Sequence, residues 1–370
     1  MKKIISKTIW IVSLLAGLGL IITSYAGWLN PNTWSWLSLA GYAFPLFLLL
    51  TMACLVICAL IRKRYLLVPF FALIAAYPAV SLYFPLHFAA LGDPVTSDST
   101  LTVISYNTYN WSWGEGVKDK NEEPNRVVEF LAALDVDVMC LQESPLTGYS
   151  TNELNRQVTK KLQYTDTIHG HGASTLTLIS RFPIVRKQFI DYDTKGNISG
   201  AFWLNVRGRE VIILSNHLQT MGFTMGERED FSSMVHGEKE SRNEIKNTSH
   251  TIAGKILSAS KIRANQAEAL AAFIRDHKNE PLIVCGDFND IPQSYTYHTI
   301  SSALDDEADA LTDCYRAVAA GPGFTYSRYG IRARIDHMFC SSHLEPIRCR
   351  VDRTTDASDH YPIICQMIFR

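Results

Sequence analysis

Residues 281–290 read PLIVCGDFND, and residues 358–364 read SDHYPII. The first segment is an apolar run that ends at Asp287, and the second places an Asp-His pair directly before an apolar run. Short apolar runs of this length are typical of buried strands. A Gly-Asp-x-Asn tetrapeptide is also a common turn, in which the aspartate caps a loop. These two segments alone therefore leave open both a capped loop and a polar site at strand ends.

Five further segments place a polar side chain at or next to the end of a short apolar run. In chain order they read ISYNT (104–108), LQES (141–144), LISRFPI (178–184), LSNHL (214–218) and RIDHMF (334–339). Such runs predict strands that deliver polar groups to one edge of a sheet. An ordered set of motifs is much more specific than any single short motif, so a capped loop no longer explains the pattern.

Taken in order, these segments resemble the endonuclease/exonuclease/phosphatase superfamily, which includes pancreatic deoxyribonuclease, the abasic-site endonucleases, inositol polyphosphate 5-phosphatases and neutral sphingomyelinases. The resemblance covers about residues 101–370. It implies an α/β fold, a four-layer sandwich in which two mixed sheets pack face to face with helices outside. It also implies that strand ends and loops build one phosphate-cleaving site.

A divalent metal ion is expected at this site. Phosphoester hydrolysis needs a hard cation to neutralise the phosphoryl oxygens, and carboxylate and amide oxygens suit Mg²⁺ or Mn²⁺. By the resemblance, Glu143 is the principal ligand, with Asn107 beside it and Asp359 contributing. The alternative for Glu143 is an ordinary surface carboxylate after a strand.

The resemblance also assigns roles to the remaining polar residues. His360 would activate the attacking water, and Asp336 would hold its ring, since a neighbouring carboxylate raises the pKa of a histidine and fixes its tautomer. Asp287 would orient the nucleophile or bind a second metal, and Asn289 would donate to a phosphoryl oxygen. His217 would stabilise the transition state or assist the leaving group. For a histidine the alternative role is a structural hydrogen bond.

The first 92 residues differ in composition from the rest. They contain no Asp or Glu, and their six basic residues are Lys2, Lys3, Lys7, Arg62, Lys63 and Arg64. Subtracting these six from 35 leaves 29 basic residues in 93–370, against all 36 acidic residues, a formal net charge of −7. We expect residues 1–92 to form a transmembrane domain and residues 93–370 to form the catalytic domain.

Three apolar stretches fill the first part, at about residues 8–28, 36–61 and 65–90. Each reaches the roughly 20 residues that a helix needs to cross a bilayer, so we expect about three spans. Prolines in the third stretch leave open a kinked or re-entrant segment. Ser24-Tyr25-Ala26 has the small-x-small pattern of a cleavage site, which leaves open a signal peptide in place of the first span.

Charge predicts the orientation in the membrane. Basic residues cluster at the amino terminus and at 62–64, whereas the loop around residues 30–32 carries no charge. By the positive-inside rule, the terminus and the 62–64 loop face the cytoplasm. An odd number of spans then places the catalytic domain on the non-cytoplasmic side of a multi-pass membrane protein.

Helices are expected over Asn125 to Leu134, Asn152 to Leu162 and about Asn243 to His277. The polar segment 222–242 is too long for an ordinary connection. It is expected to be a solvated loop, with a lid over the site as the alternative. Four cysteines have segments that suggest neighbouring strands and could include a disulfide, although no spacing fixes a pairing: Cys314, Cys340, Cys349 and Cys365.

The substrate remains open between two classes. The favoured hypothesis is a membrane-anchored phosphoesterase that hydrolyses phosphodiester or phosphomonoester bonds of a lipid head group or another surface phosphoester, because tethering raises the effective concentration of such substrates. The alternative is a nuclease, which the net charge of −7 in residues 93–370 disfavours unless a local basic patch overrides it. An inactive scaffold would be expected to lack at least one proposed site residue, and all are present.

Overall fold

The computed structural model describes residues 2–61, 63–87, 99–112, 125–146, 152, 154, 156–170, 174–237, 242–304 and 310–370. The expected boundary between residues 92 and 93 lies outside these residues, as does Arg62. Within them, an N-terminal helical region packs against a domain of two β-sheets with helices on their outer faces.

The helical region contains one long helix, a shorter one and three helices of nine residues or fewer: α1 (Lys2–Tyr25), α2 (Ser35–Ser38), α3 (Phe44–Ile61), α4 (Leu67–Ala75) and α5 (Tyr77–Tyr83). Two segments, Lys7–Trp28 and Ser35–Ile61, are long and apolar enough to cross a membrane. The pair α4 and α5 passes the same test jointly, but the two helices are bent by 63°. Pro78 explains the break, since a proline inside a helix clashes with the carbonyl four residues earlier.

The outward faces of these helices are apolar. Leu49 is 67% exposed and Leu60 is 79% exposed. Exposure of leucine to water is unfavourable, whereas its exposure to the hydrocarbon of a membrane is not. The described helices therefore suit a membrane, with two spans, or three if the bent pair forms one.

The described chain from residue 99 onward contains the strands β1 (Thr100–Asn107), β2 (Val138–Gln142), β3 (Tyr164–His169), β4 (Thr175–Ser180), β5 (Ile184–Ile190), β6 (Ile198–Val206), β7 (Arg209–His217), β8 (Leu282–Asp287), β9 (Thr312–Asp313), β10 (Tyr326–Arg328), β11 (Ile331–Ala333), β12 (Asp336–Cys340), β13 (Leu344–Val351) and β14 (Ile363–Phe369). They form one sheet in the order β13-β14-β1-β2-β4-β3, a second in the order β5-β6-β7-β8-β12-β9, and the hairpin β10-β11. Both large sheets are mixed, because β1 is parallel to β2 and β7 to β8 whereas the other pairs are antiparallel.

Apart from the single turn Tyr109–Ser112, in which Asn110 and Trp111 have left-handed backbone angles, the described helices of this part that have defined bounds are α6 (Arg126–Ala133), α7 (Met225–Val235), α8 (Arg242–Asp276), α9 (Tyr295–Ser301) and α10 (Cys314–Val318). Val103 and Ile213 belong to the core between the two sheets. Leu270 of α8 packs on the outer face of the second sheet, and Leu131 of α6 packs on that of the first. The helix, sheet, sheet, helix order confirms the expected four-layer sandwich.

Two of the three expected helices are confirmed as α6 and α8. The side chain of Asn125 caps α6 by accepting from the backbone N–H groups of Val127 and Val128. Between 152 and 162, the described helical residues end at 157 and a turn follows over 158–161. The helix expected over 152–162 is therefore shorter than the sequence suggests.

The expectation of a solvated loop over 222–242 is wrong for most of its length, because 225–235 forms α7. Thr224 starts this helix with a capping box. Its hydroxyl accepts from the backbone N–H of Glu227, and the Glu227 carboxylate accepts from the backbone N–H of Thr224 at 2.8 Å. The T-x-x-E signal was present in the sequence. Residues 238–241 of the segment lie outside the described part.

All eight cysteines lie in the described part, and each is buried with a free thiol. The disulfide that the sequence allowed is therefore not formed. Cys349 and Cys365 are direct partners in the β13-β14 register, as neighbouring strands would require. Six of the thiols, all except those of Cys54 and Cys58 in α3, contribute to apolar packing between the sheets instead.

Candidate active site

Strand ends from both sheets meet at one edge of the sandwich. In the first sheet Asn107 is the register partner of Gln142, and Glu143 follows directly. In the second sheet Asp287 stands opposite both His217 of β7 and Asp336 of β12. Parallel neighbouring strands end at the same edge of a sheet. The polar residues at the ends of β1, β2, β7 and β8, which are far apart in the sequence, therefore lie close together.

The amide of Asn107 connects the two sheets at this edge. Its Nδ2 donates to Glu143 Oε1 at 3.1 Å and to Asp287 Oδ2 at 3.0 Å. His217 lies beside the same two carboxylates, with its Nε2 at 3.6 Å from Glu143 Oε1 and 3.7 Å from Asp287 Oδ2. The Nδ1 of His217 is buried and makes no hydrogen bond within the described part of the chain.

His360 and Asp336 form a buried pair. The Nδ1 of His360 is 2.9 Å from Asp336 Oδ2, while its Nε2 is 3.7 Å from Asp287 Oδ2. Burial alone would lower the pKa of His360, but the charges of Asp336 and Asp287 outweigh it and raise that pKa well above its usual value. The hydrogen bond to Asp336 fixes Nδ1 as the donor, so Nε2 is the atom available for proton transfer.

The carboxylates at this edge are poised for a cation. Burial raises the pKa of Asp287 to about 6, with His360 lowering it and Asp336 raising it. Burial also raises the pKa of Asp359, and the charge of Glu143 adds to that shift. Burial and neighbouring negative charges disfavour the ionised forms of these carboxylates, and a bound metal ion would stabilise those forms.

In the described part of the chain, one group of potential metal ligands lies close together at this edge. Among the described residues, Asp287, Asp336 and His360 each offer one ligand atom within 4.8 Å of the others. Asp336 and His360 are already engaged with each other, however, and a hard cation prefers oxygen ligands. The oxygen ligands that the sequence predicts for Mg²⁺ or Mn²⁺ are Glu143, Asp359 and the amide of Asn107; they lie at or beside the same edge, and their role as ligands stays a prediction.

The backbone at the strand ends adopts unusual conformations. Glu143 and Asn289 have φ of 48° and 51°, in the left-handed region that ordinary residues rarely occupy. Gly286 has φ of 137°, and a Cβ at this position would lie 2.0 Å from the carbonyl oxygen of Asn216. The glycine of the CGDFND segment therefore lets β8 approach β7 closely enough to place Asp287 beside His217. Strained residues of this kind cluster at functional sites.

Asn289 lies against Asp287 and contributes to the same edge. Its backbone N–H donates to Asp287 Oδ1 at 2.8 Å, and its Nδ2 donates to Asp287 Oδ2 at 3.2 Å and to the Leu218 carbonyl at 3.0 Å. Asn110, which sequence reasoning missed, donates from Nδ2 to Glu143 Oε2 at 3.4 Å. The eight residues expected from the sequence are thus all at or beside one edge.

A cavity of about 460 Å³ opens at this edge. Proposed site residues line one side, namely Glu143, His217, Asp287, Asn289, Asp359 and His360. Sequence reasoning missed much of the remaining wall, which includes Tyr42, Pro45 and Tyr83 of the helical region, Phe223, Arg228 and Phe231 in and before α7, and Ile252 and Ile256 of α8. These residues come together only through tertiary packing, which no local motif reports.

Comparison with known proteins identifies the family. The model of the Endonuclease/Exonuclease/phosphatase family matches residues 104–360. The chain belongs to this family. Members are metal-dependent phosphoester hydrolases, so this family member is a phosphoric ester hydrolase that uses a divalent metal. A second model, a domain of unknown function (DUF8431), matches residues 6–83. No curated protein matches the sequence.

Three solved structures are similar to this family member. The human Nocturnin catalytic domain with bound sulfate is 20% identical and has a TM-score of 0.50, with 75% of this chain and 97% of that chain covered. Humanized D. rerio TDP2 is 16% identical with a TM-score of 0.49, covering 73% and 99%. Sphingomyelinase C from Streptomyces griseocarneus is 20% identical with a TM-score of 0.48, covering 72% and 99%. At these identities the likeness concerns the fold alone.

Proposed function

We propose that the protein is a membrane-anchored phosphoesterase that uses Mg²⁺ or Mn²⁺ to hydrolyse the phosphoester bond of a lipid head group outside the cytoplasm. Residues 1–92 would be its membrane domain and residues 93–370 its catalytic domain. The observation that carries the proposal is the composition of the cavity, in which catalytic side chains and an apolar wall face the same space.

The apolar wall suits a substrate with a hydrocarbon part. Aromatic and aliphatic side chains from the helical region, from the α7 segment and from α8 line the cavity beside the catalytic edge. A small polar phosphoester gains little from such a surface, whereas the hydrocarbon next to a lipid head group gains by leaving water. Tyr42, Pro45 and Tyr83 belong to the region whose helices are apolar enough to cross a membrane, which supports a lipid as the substrate.

The arrangement of the helices supports an outward-facing site. Contacts with the catalytic domain come from one end of the helical region, where Trp28 stacks on His298 at 4.8 Å and Leu86 forms a bridge with Ala320. The end of α1 is connected to the start of α3, so the start of α1 and the end of α3 lie at the same end of the bundle. Lys63 follows α3 at this end. Lys7 and Lys63 are therefore at the opposite end of the bundle from these contacts, which supports the orientation expected from the positive-inside rule.

The site residues would divide the chemistry as follows. Glu143, Asn107 and Asp359 would hold the metal ion, which polarises the phosphoryl oxygens. His360, held by Asp336, would accept a proton from the attacking water at Nε2.

The remaining three residues would act on the nucleophile and the leaving group. Asp287 would orient the nucleophile or share in metal binding, and Asn289 would donate to a phosphoryl oxygen. His217 would stabilise the charge that develops on the leaving oxygen, with its Nε2 beside the carboxylates at the edge.

A turnover screen tests this function. The full chain in detergent, with Mg²⁺ or Mn²⁺, is assayed against sphingomyelin and phosphoinositides in mixed micelles, a bis-aryl phosphodiester and plasmid DNA. We expect a long-chain lipid to be hydrolysed with higher kcat/KM than its short-chain analogue. The His360→Ala variant should lose at least the roughly 100-fold typical of a missing general base. Cleavage of plasmid DNA in preference to every lipid would instead favour a nuclease.

A further inference from the structure

The loop after β8 carries an ion pair that is fully removed from solvent. Asp290 is 2% exposed and accepts from Arg263 Nε at 2.9 Å, while Arg263 is 0% exposed. Asp290 also accepts from Thr296 Oγ1 at 2.8 Å. Desolvating such a pair is costly, and its geometry must be well satisfied for the pair to persist.

This ion pair connects three of the catalytic strand ends. Asp290 follows Asn289 directly in the loop after β8. Arg263 Nη1 donates to the carbonyl of Gln219, two residues after His217, at 2.8 Å. The backbone carbonyl of Asp290 lies 2.9 Å from Nε2 of His337, the neighbour of Asp336. The ends of β7 and β8 and the start of β12 are therefore held in register by one buried network.

The helical region completes this network. The Tyr42 hydroxyl donates to Asp290 Oδ1 at 2.6 Å, and Arg263 Nη2 donates to the Tyr42 hydroxyl at 3.2 Å. Close packing accompanies these bonds, because a Cβ on Gly41 would lie 2.4 Å from the carbonyl oxygen of Gln293 in the same loop. The backbone of the helical region thus lies directly against the loop that carries Asp287 and Asn289.

A second contact acts on the strand that carries Asp336. Arg334 is 3% exposed and donates from Nη2 to the carbonyl of Leu82, at the end of α5. Gln293 Nε2 likewise donates to the carbonyl of Ala79 at 3.3 Å. Both catalytic segments of the second sheet are therefore attached to the helical region within a few residues of a proposed site residue.

We propose that Tyr42 is a positioning residue through which the helical region holds the catalytic loop in place. Residues 6–83, which match the domain of unknown function, then support the active site structurally as well as anchoring the protein. This inference rests on the proposed site residues and is independent of whether the substrate is a lipid.

The Tyr42→Phe variant tests this role without dismantling the ion pair. Asp290 Oδ1 still accepts from the backbone N–H of Ile291 at 3.1 Å, and Arg263 Nη2 still donates to Ser260 Oγ at 3.1 Å. No member of the pair is left without a hydrogen bond, so the variant should fold. The matched control is Tyr25→Phe, because the Tyr25 hydroxyl donates to the Ala75 carbonyl at 2.7 Å inside the helical region.

The full chain in detergent is assayed with a small soluble bis-aryl phosphodiester. We expect Tyr42→Phe to lower kcat by on the order of 10-fold, less than the roughly 100-fold that a 1 Å misplacement can cause, with KM nearly unchanged. Mn²⁺ affinity should also fall by about 10-fold, the lower end for groups that orient metal ligands. Tyr25→Phe should match the wild type in both. If Tyr42 acts through Asp290, adding Tyr42→Phe to Asp290→Asn should cause no further loss.

Three results would overturn the role. A lower Tm in Tyr42→Phe with unchanged kcat and Mn²⁺ affinity would make the hydroxyl a stabilising contact only. A raised KM with unchanged kcat would make Tyr42 a substrate contact. Equal losses in Tyr42→Phe and Tyr25→Phe would indicate general loosening of the helices. If the wild type does not hydrolyse the probe, the proposed function is at fault and the Mn²⁺ titration alone decides the role of Tyr42.

Discussion

The side-chain amide of Asn107 brings together two carboxylates that come from different sheets. Its Nδ2 donates both to Glu143 and to Asp287. One donor cannot neutralise two negative charges, and burial raises the pKa of Asp287 to about 6. A divalent cation bound between these groups should therefore stabilise the folded protein, because a ligand that binds only the folded state raises its stability.

Glu143→Gln should separate metal binding from folding. The amide has similar size but no charge, so we expect the variant to lose most activity and to lose the rise in Tm that Mg²⁺ or Mn²⁺ gives the wild type. Its Tm without metal should be equal to or above that of the wild type, because one repelling charge is gone. The control is Glu210→Gln, an exposed residue that pairs with Arg186 at 3.6 Å. Near wild-type turnover in Glu143→Gln would exclude Glu143 as the principal ligand.

His298 predicts an acid limit to stability. Burial lowers the pKa of this ring to about 4, with Arg316 lowering it further. In the unfolded chain the ring binds a proton near pH 6.5, so protonation favours unfolding. The contribution of the neutral His298 ring to the free energy of unfolding is therefore complete above pH 6.5 and is lost as the pH falls toward about 4. We expect His298→Gln to show a smaller drop in Tm over this range than the wild type.

The control for this measurement is His250→Gln, since His250 is an exposed residue of α8. Its curve of Tm against pH should follow that of the wild type. Parallel curves for wild type and His298→Gln would show that other groups dominate the acid limit.

At the scale of elements, sequence reasoning succeeded where a local pattern determines the structure. Asn107 and His217 each end an apolar run. The parallel pairing of β1 with β2 and of β7 with β8 then places each of them beside the end of the neighbouring strand. It failed over α7, where the length and the charge of segment 222–242 indicated a loop and the T-x-x-E signal at 224–227 was overlooked. It also missed Tyr42, whose partner Asp290 lies 248 residues away, because contacts at such separation depend on tertiary packing.

Helix α7 forms part of the cavity wall and is attached at its start. Lys255 of α8 donates to Glu227 Oε2 at 2.5 Å and to the carbonyl of Gly222 at 2.9 Å. Tyr329, after β10, donates to Met225 Sδ at 3.7 Å. Phe231 faces the cavity from this helix. The geometry is that of a rim beside the site, and its apolar side chains suit hydrocarbon more than a small polar substrate.

Removing this rim should therefore discriminate between substrates. Replacing 222–242 by a short Gly-Ser linker, or the milder change Phe231→Ser, should lower kcat/KM on a micellar lipid by at least about 10-fold, roughly the loss of one buried aromatic contact. Turnover of a small soluble phosphodiester should change little, because its access needs no rim. Phe189→Ser, on the outer strand β5, is the control. Equal losses on both substrates would make α7 a structural element.

At the scale of the whole molecule, the helical region packs directly against the domain of two β-sheets. The sites of contact are the segment between α1 and α3 and the end of α5, and the catalytic edge lies beside them. Lys7 and Lys63 lie at the other end of the helical bundle from these contacts. A lipid phosphoester at the membrane surface would meet the apolar wall and the catalytic edge together.

Topology is the prediction that tests this arrangement. Because basic residues favour the cytoplasm, Arg370 should lie outside it if the bent pair α4 and α5 crosses the membrane. An alkaline phosphatase fusion after Leu91 should be active, and a fluorescent-protein fusion at Arg370 should be dark. Fusions after Arg64 are the matched control and should give the opposite pair of signals, since that loop is basic. A bright fusion at Arg370 with an inactive one after Leu91 would mean that the bent pair turns back, which places the catalytic edge in the cytoplasm and removes the support for an outward-facing substrate.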